Sequence, residues 1–168
     1  METLGALKEA LADYLRAAFA GELAEVRFVG EFPGDPRAFP LRRPVIAVGV
    51  EQVALAESGF GGYLGEGESA SLYGRAAEIT VRFDIHCPPA RGGARCHELY
   101  EALCDALLLR ADPFGFLRLG CGEIAFDKES DANRMRAAGV LRAAVARRDD
   151  GPVVRDFEIR SDLIHDNR

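Results

Sequence analysis

His86-Cys87 and Cys96-His97 place two imidazoles and two thiols on either side of the Pro88–Gly93 turn, a set of side chains chemically suited to zinc. A tetrahedral site usually spaces its paired ligands about two to four residues apart so that both reach one ion. Neighbouring residues on a strand point to opposite faces, so His86 and Cys87 diverge, and Cys96 falls on the apolar stripe of the following segment, where a free cysteine packs as a small hydrophobe. The pattern therefore predicts no metal site. A Cys–His nucleophile needs a base in reach and a third group to orient that base, and no local signature supplies them. The carboxylate pairs Glu66/Glu68 and Asp149/Asp150 lie in polar turns, where solvation accounts for them. The run Gly61-Gly62-Tyr63-Leu64-Gly65-Glu66-Gly67 lacks the Lys-Ser/Thr ending of a phosphate-cradling loop and has no helix after it. No catalytic residue, metal ligand or cofactor is expected. The reading from a different class is a small cytoplasmic metal or thiol enzyme using His86, Cys87, Cys96 and His97.

The elements around these residues read as an α+β domain. From Glu78 to His86, Ile79, Val81, Phe83 and Ile85 alternate with Thr80, Arg82, Asp84 and His86, which predicts a strand with one dry and one wet face. Cys96, Leu99, Leu103 and Leu107 repeat at helical spacing and predict a helix over 94–110. An earlier helix is expected from Thr3 to Ala20, on the stripe Leu4, Leu7, Leu11, Leu15 and Ala18, ending at Gly21. Val26 and Phe28 suggest a short strand. Val45 to Val53 is a continuous β-rich run, as expected of a strand covered on much of both faces. Residues 57–75 carry many glycines among Phe60, Tyr63 and Tyr73 and read as a long Gly-rich loop between strands. Glu123–Asp127 alternates as a strand, and 127–133 is a polar turn. Residues 134–148 have helical composition, but Gly139, Leu141, Ala143 and Val145 fit a period of two, and the segment is assigned as a strand. Val153 to Ile159 is its hairpin partner, and the last residues fray. The expected fold is a mostly antiparallel sheet of five to six strands with two main helices on one face, forming a single domain over 1–168.

A chain of 168 residues with 48% hydrophobic and 29% charged residues is large and apolar enough to build a core without metal or disulfide staples. The cysteines at 87, 96, 104 and 121 form no C-x-x-C pair and are read as reduced thiols of a cytoplasmic product. No apolar run approaches the ~20 residues that cross a bilayer, so no membrane partner is expected. A net charge of −6 disfavours sequence-independent nucleic-acid binding, which needs a basic face. Arg134, Arg136, Arg142, Arg147 and Arg148 crowd one stretch and read as solvated positions.

Four segments, Pro44–Val48, Gly74–His86, Cys121–Asp127 and Asp156–Ile159, together with the order of the elements, resemble the tail terminator (tail completion) proteins of long-tailed bacteriophages and prophages. The resemblance spans nearly the whole chain and rests on structural segments. It implies a protomer of a ring, usually hexameric, that caps the head-proximal end of the tail tube, stops its polymerisation and joins the tail to the head. The implied partners are further copies of the chain, the tail tube protein, the head–tail connector or neck protein, and a sheath protein if the tail is contractile. The implied place is the neck of the virion, assembled in the host bacterial cytoplasm. DNA would pass through such a ring without specific binding, since the acidic chain repels phosphate. Subunit and tube contacts are expected at Phe60, Tyr63, Leu64 and Tyr73 in the Gly-rich stretch, because buried aromatics carry much of an interface's energy. A second set is expected at Asp127, Lys128, Glu129, Asp131 and Asn133. Another neck or head-completion protein is the alternative within this class.

Overall fold

The computed structural model describes residues 4–21, 23–30, 41–57, 62–66, 71–110, 113–147 and 158–160. Its elements are helix α1 (Leu4–Ala18), strands β1 (Arg27–Val29), β2 (Val45–Glu57), β3 (Tyr63–Glu66) and β4 (Ser71–Cys87), helix α2 (Ala94–Cys104), and strands β5 (Phe116–Asp127), β6 (Ala132–Arg147) and β7 (Glu158–Arg160). The sheet runs β1-β2-β4-β6-β5, with β3 added to β4 and β7 to β6. Among the described residues only the β1–β2 pair is parallel, so the sheet is mixed and the fold is α+β, as the alternation in the sequence predicts.

Both helices lie on one face of the sheet. Leu7, Leu11, Leu15 and Phe19 of α1 and its continuation, and Cys96, Leu99 and Leu103 of α2, pack in one cluster with Ile79, Val81, Phe83 and Ile85 of β4. The Tyr14 hydroxyl donates to the Ala106 carbonyl at 2.9 Å and joins the two helices. Gly21, at φ 97°, follows α1 in the left-handed conformation that suits a helix stop. After Cys104 the helix widens into a π turn over Asp105–Leu109, with Arg110 N–H donating to Asp105 O at 3.0 Å.

Strand β6 makes residues 134–147 of the ambiguous stretch extended chain, residue 148 lying outside the described residues, and Gly139 has a packing reason. A Cβ there would sit 2.5 Å from Leu119 Cδ1 and 2.7 Å from Phe116 Cε1, so the bare backbone is the floor on which those side chains rest.

Several expectations need correction. The stretch 57–75 is not one loop: β3 and the start of β4 form an antiparallel pair within it, Tyr63 opposite Tyr73 and Glu66 opposite Ser71. Gly62 serves close backbone approach, since a Cβ there, at φ 77°, would lie 2.9 Å from the Gly74 carbonyl oxygen. The 127–133 turn is shorter than expected, because Ala132 and Asn133 already belong to β6, paired with Asp127 and Phe126. Coverage on both faces of β2 holds for Val45–Val48, which are buried, and fails beyond Val50, where 51–56 are exposed. The wet face of β4 is not wet at its end, where Asp84 and His86 are buried beneath neighbouring side chains. The last strand lies at Glu158–Arg160, opposite Ala144–Ala146, and Val153 and Phe157 fall outside the described residues.

The lengths of these elements leave part of the sheet uncovered. Strand β4, at 17 residues, spans about 56 Å at roughly 3.3 Å per residue, whereas the 15 residues of α1 reach only about 22 Å at 1.5 Å each. One helix of that length leaves much of the face open, and among the described residues the end holding β3 and the second half of β2 is exposed at 51–56, Tyr63 and Tyr73.

Candidate functional site

The uncovered end of the sheet carries a strip of exposed apolar side chains. Register puts Leu55 opposite Ala77, Val53 opposite Ile79 and Tyr63 opposite Tyr73, so Val53, Leu55, Tyr63 and Tyr73 share the helix-side face. Their exposures are 38%, 56%, 44% and 45%, large for residues of that type. The two tyrosine rings meet edge to face, with centroids 5.8 Å apart and planes at 67°. Strand β1 pairs only with Val45–Ala47, and among the described residues no strand pairs with the outer edge of β2 from Val48 to Glu57. The strip therefore lies along a sheet edge whose backbone donors and acceptors face outward.

Strand β5 forms the opposite edge, paired on one side with β6 and, among the described residues, with nothing on the other. It too carries exposed apolar side chains, Leu117 at 52% and Phe126 at 53%.

Of the residues expected at an interface, Tyr63 and Tyr73 lie together on the first edge. Phe60 lies outside the described residues, and of Leu64 only the strand position is described. Asp127, Lys128, Glu129, Asp131 and Asn133 sit at the other end of β4, since Asn133 pairs with Cys87 while Tyr73 pairs with Arg147. The two groups are thus about 46 Å apart along the strand at roughly 3.3 Å per residue. Within the second group, Asp127 builds the turn. It accepts from Ser130 Oγ at 2.7 Å and from Glu129 N–H at 3.1 Å, and the Ser130 bond holds its carboxyl below the ordinary range. Asp131 closes the turn at φ 48°, a conformation Asp tolerates. The Asn133 carbonyl accepts from the Cys96 thiol at 3.6 Å. Lys128 and Glu129 are exposed at the tip of the turn.

The sequence reading missed Val53 and Leu55 because alternating β-branched and aliphatic residues read as core. Whether a helix reaches over them is a matter of element length and placement.

The thiol–imidazole set is divided among three environments. His86 lies on the face away from the helices, its Nδ1 3.4 Å from Ser130 Oγ. Ser130 Oγ donates to Asp127 at 2.7 Å, so the three side chains brace the turn. Burial, and next the charge of Arg134, hold His86 below its ordinary pKa. Cys87 and Cys96 are both fully buried and in contact; the bond to Cys96 and then burial push the Cys87 thiol far up. His97 is exposed on α2. Among the described residues, no three His, Cys, Asp or Glu side chains are grouped to hold a metal ion.

The arginines of β6 are not simply solvated. On the face away from the helices, Asp84 accepts from Arg134 at 3.0 Å and Arg136 at 3.4 Å, and Arg82 lies 2.8 Å from its other oxygen. Burial alone pushes this carboxyl up, but the Arg134 bond and the three guanidinium charges outweigh it and hold it below the ordinary range. Arg142 pairs with Glu78 at 3.2 Å on the same face. The Arg147 side chain and Arg148 fall outside the described part.

No protein-family model and no curated protein matches this chain. No helix among the described residues is long and apolar enough to cross a membrane.

Proposed function

We propose that this chain is a structural subunit of a ring, of the tail terminator kind, that caps the head-proximal end of a phage tail tube and joins it to the head connector. One observation carries the reading: among the described residues, the protomer has two different sheet edges on opposite sides that no other strand pairs with, each with exposed apolar side chains. One edge is β2–β3 with Val53, Leu55 and Tyr63; the other is β5 with Leu117 and Phe126. Edges of this kind are normally blunted by charge or covered by another chain. Two unlike edges favour a heterologous, head-to-tail contact, and such contacts close into a ring when the rotation per copy allows.

In this reading the β2–β3 edge of one copy lies beside the β5 edge of the next, and the chain does no bond-making chemistry. Each of six copies brings a net charge of −6, which keeps DNA sliding through the channel. The arginine-bearing face with Arg82, Arg134, Arg136 and Arg142 then points away from the lumen.

Mass measurement in solution by light scattering, followed by electron microscopy with and without tail tubes, tests this. Rings on one end of the tubes support the proposal. A protein that stays a single copy alone and with tubes, and decorates no tube end, refutes it. A ring lumen lined by Arg134, Arg136 and Arg142 would refute the charge argument alone.

A further inference from the structure

The sheet face away from the helices sets arginines among small residues. Along β6, Arg134, Arg136 and Arg142 lie on it, with Arg82 of β4 opposite Ala138 and Arg118 of β5 opposite Val140. Gly49, Ala138 and Gly120 keep the floor between them low. Three of the guanidiniums meet at one carboxylate: Arg134 Nη2 lies 3.0 Å and Arg136 Nε 3.4 Å from Asp84 Oδ1, and Arg82 Nε lies 2.8 Å from Oδ2. Asp84 is buried, whereas the side chains of Arg134, Arg136 and Arg82 are 36%, 51% and 39% exposed. Three guanidiniums carry about fifteen N–H donors and one carboxylate about four acceptor sites, so Asp84 fixes these side chains without filling their capacity. The group keeps an excess of two positive charges. Arg142, further along β6, is half-exposed and held to Glu78 at 3.2 Å. From Arg134 to Arg142 the row spans about 26 Å at roughly 3.3 Å per residue, against a screening length of about 10 Å at 0.1 M salt. A ligand lying along the row meets these charges and little of the chain's net −6.

We propose that this face binds an acidic protein segment in extended conformation, about eight residues long, with carboxylates on alternate positions. The inference is independent of the ring reading. An extended segment repeats its same-side side chains every ~6.6 Å, which is the spacing of Arg134 and Arg136 along their strand, and eight residues match the length of the row. Each incoming carboxylate accepts from a planar guanidinium fork. At Arg82, Arg134 and Arg136 that fork is already held by Asp84, so little side-chain freedom is lost on binding. Glu78, bonded to Arg142 at 3.2 and 3.3 Å, occupies one such fork and competes with the ligand for it. A nucleic acid suits the face less well. Among its described residues there is no Phe, Tyr or Trp on which bases could stack, and a long polyanion would overrun the row onto an acidic chain.

The test is fluorescence anisotropy of the full chain with a labelled peptide of Glu-Thr repeated four times, at neutral pH and about 0.1 M salt. Binding is expected, falling about tenfold or more when salt is raised to about 0.5 M, and the matching Gln-Thr peptide is expected not to bind. Arg118→Gln with Arg142→Gln changes two exposed arginines outside the group that holds Asp84, and is expected to weaken binding about two- to thirtyfold. Glu78→Gln releases Arg142 and is expected to tighten binding about two- to fivefold, a gain that a purely structural role for the arginines would not give. Thermal midpoints show whether each variant is folded, and Glu78→Gln decides if the double variant is not. Four results would each overturn the proposal: no binding of the Glu-Thr peptide, unchanged affinity in the folded variants, tighter binding of a labelled oligothymidylate of the same length, or a doubling of mass in light scattering that the double variant abolishes, which would make a second copy the occupant.

Discussion

Replacing Gly139 by alanine probes how the sheet holds its edge strand. The added Cβ would lie 2.5 Å from Leu119 Cδ1, 2.7 Å from Phe116 Cε1 and 2.8 Å from Phe116 Cδ1. Carbon atoms rest at about 3.5–4.0 Å, so each contact is short by roughly an ångström. Leu119 is half-buried and its methyl can swing away. Phe116 cannot move as easily, being buried with its ring against Phe83 at a centroid distance of 6.2 Å. Overpacking a core of this kind costs about 1–3 kcal/mol. Alanine also restricts the unfolded chain relative to glycine, which offsets about 0.5–1 kcal/mol. The net expectation is a loss of about 1–2 kcal/mol, or a fall in thermal midpoint of roughly 2–8 °C for a chain of this size. Thermal and urea unfolding followed by circular dichroism measure it. In a Phe116→Leu background the penalty of Gly139→Ala should shrink, because the ring that resists the methyl is gone. A Gly139→Ala protein as stable as the parent, or an undiminished penalty in the double variant, would refute the packing argument.

Charge placed on the first edge, as Leu55→Lys with Val53→Lys, is expected to abolish ring formation in light scattering while changing protomer stability by less than about 1 kcal/mol, since both sites are partly exposed. Loss of folding, or rings that persist, would remove β2 from the interface. Acid weakens the fold in two stages. His86 has its folded pKa below the ordinary 6.5, so the unfolded chain takes up the proton first and stability falls as pH drops through and below that value. Asp84, held below the ordinary 3.8, adds a second loss at still lower pH, as its carboxylate is finally protonated in the folded state. Thermal midpoints measured across the acid range check both stages, and His86→Gln should remove the first. Ser130→Ala removes the 2.7 Å bond to Asp127 and is expected to cost about 1 kcal/mol in urea unfolding, with the Asp127 carboxyl titrating closer to its ordinary value by NMR.

Alternation in Ile79–Ile85, the helical stripe Leu99–Leu103–Leu107 and the period of two through Gly139–Val145 were enough to assign an α+β sheet with two helices. Periodicity reports which way each side chain points relative to its own backbone, and that is a local property. The aromatics Tyr63 and Tyr73 were also visible as interface candidates. What covers a given face is not local. Val53 and Leu55 have core-like types, and they stand exposed because β2 outruns the helices; Asp84 and His86 have surface-like types, and they are buried because arginines from β6 and the β5–β6 turn fold over them. The burial of Cys87 and Cys96 in one cluster likewise depends on how α2 crosses the strands, whereas the divergence of His86 from Cys87 follows from strand alternation alone. Long-range register and helix placement set these contacts, and residues far apart in the chain carry no mark of one another until the sheet is assembled.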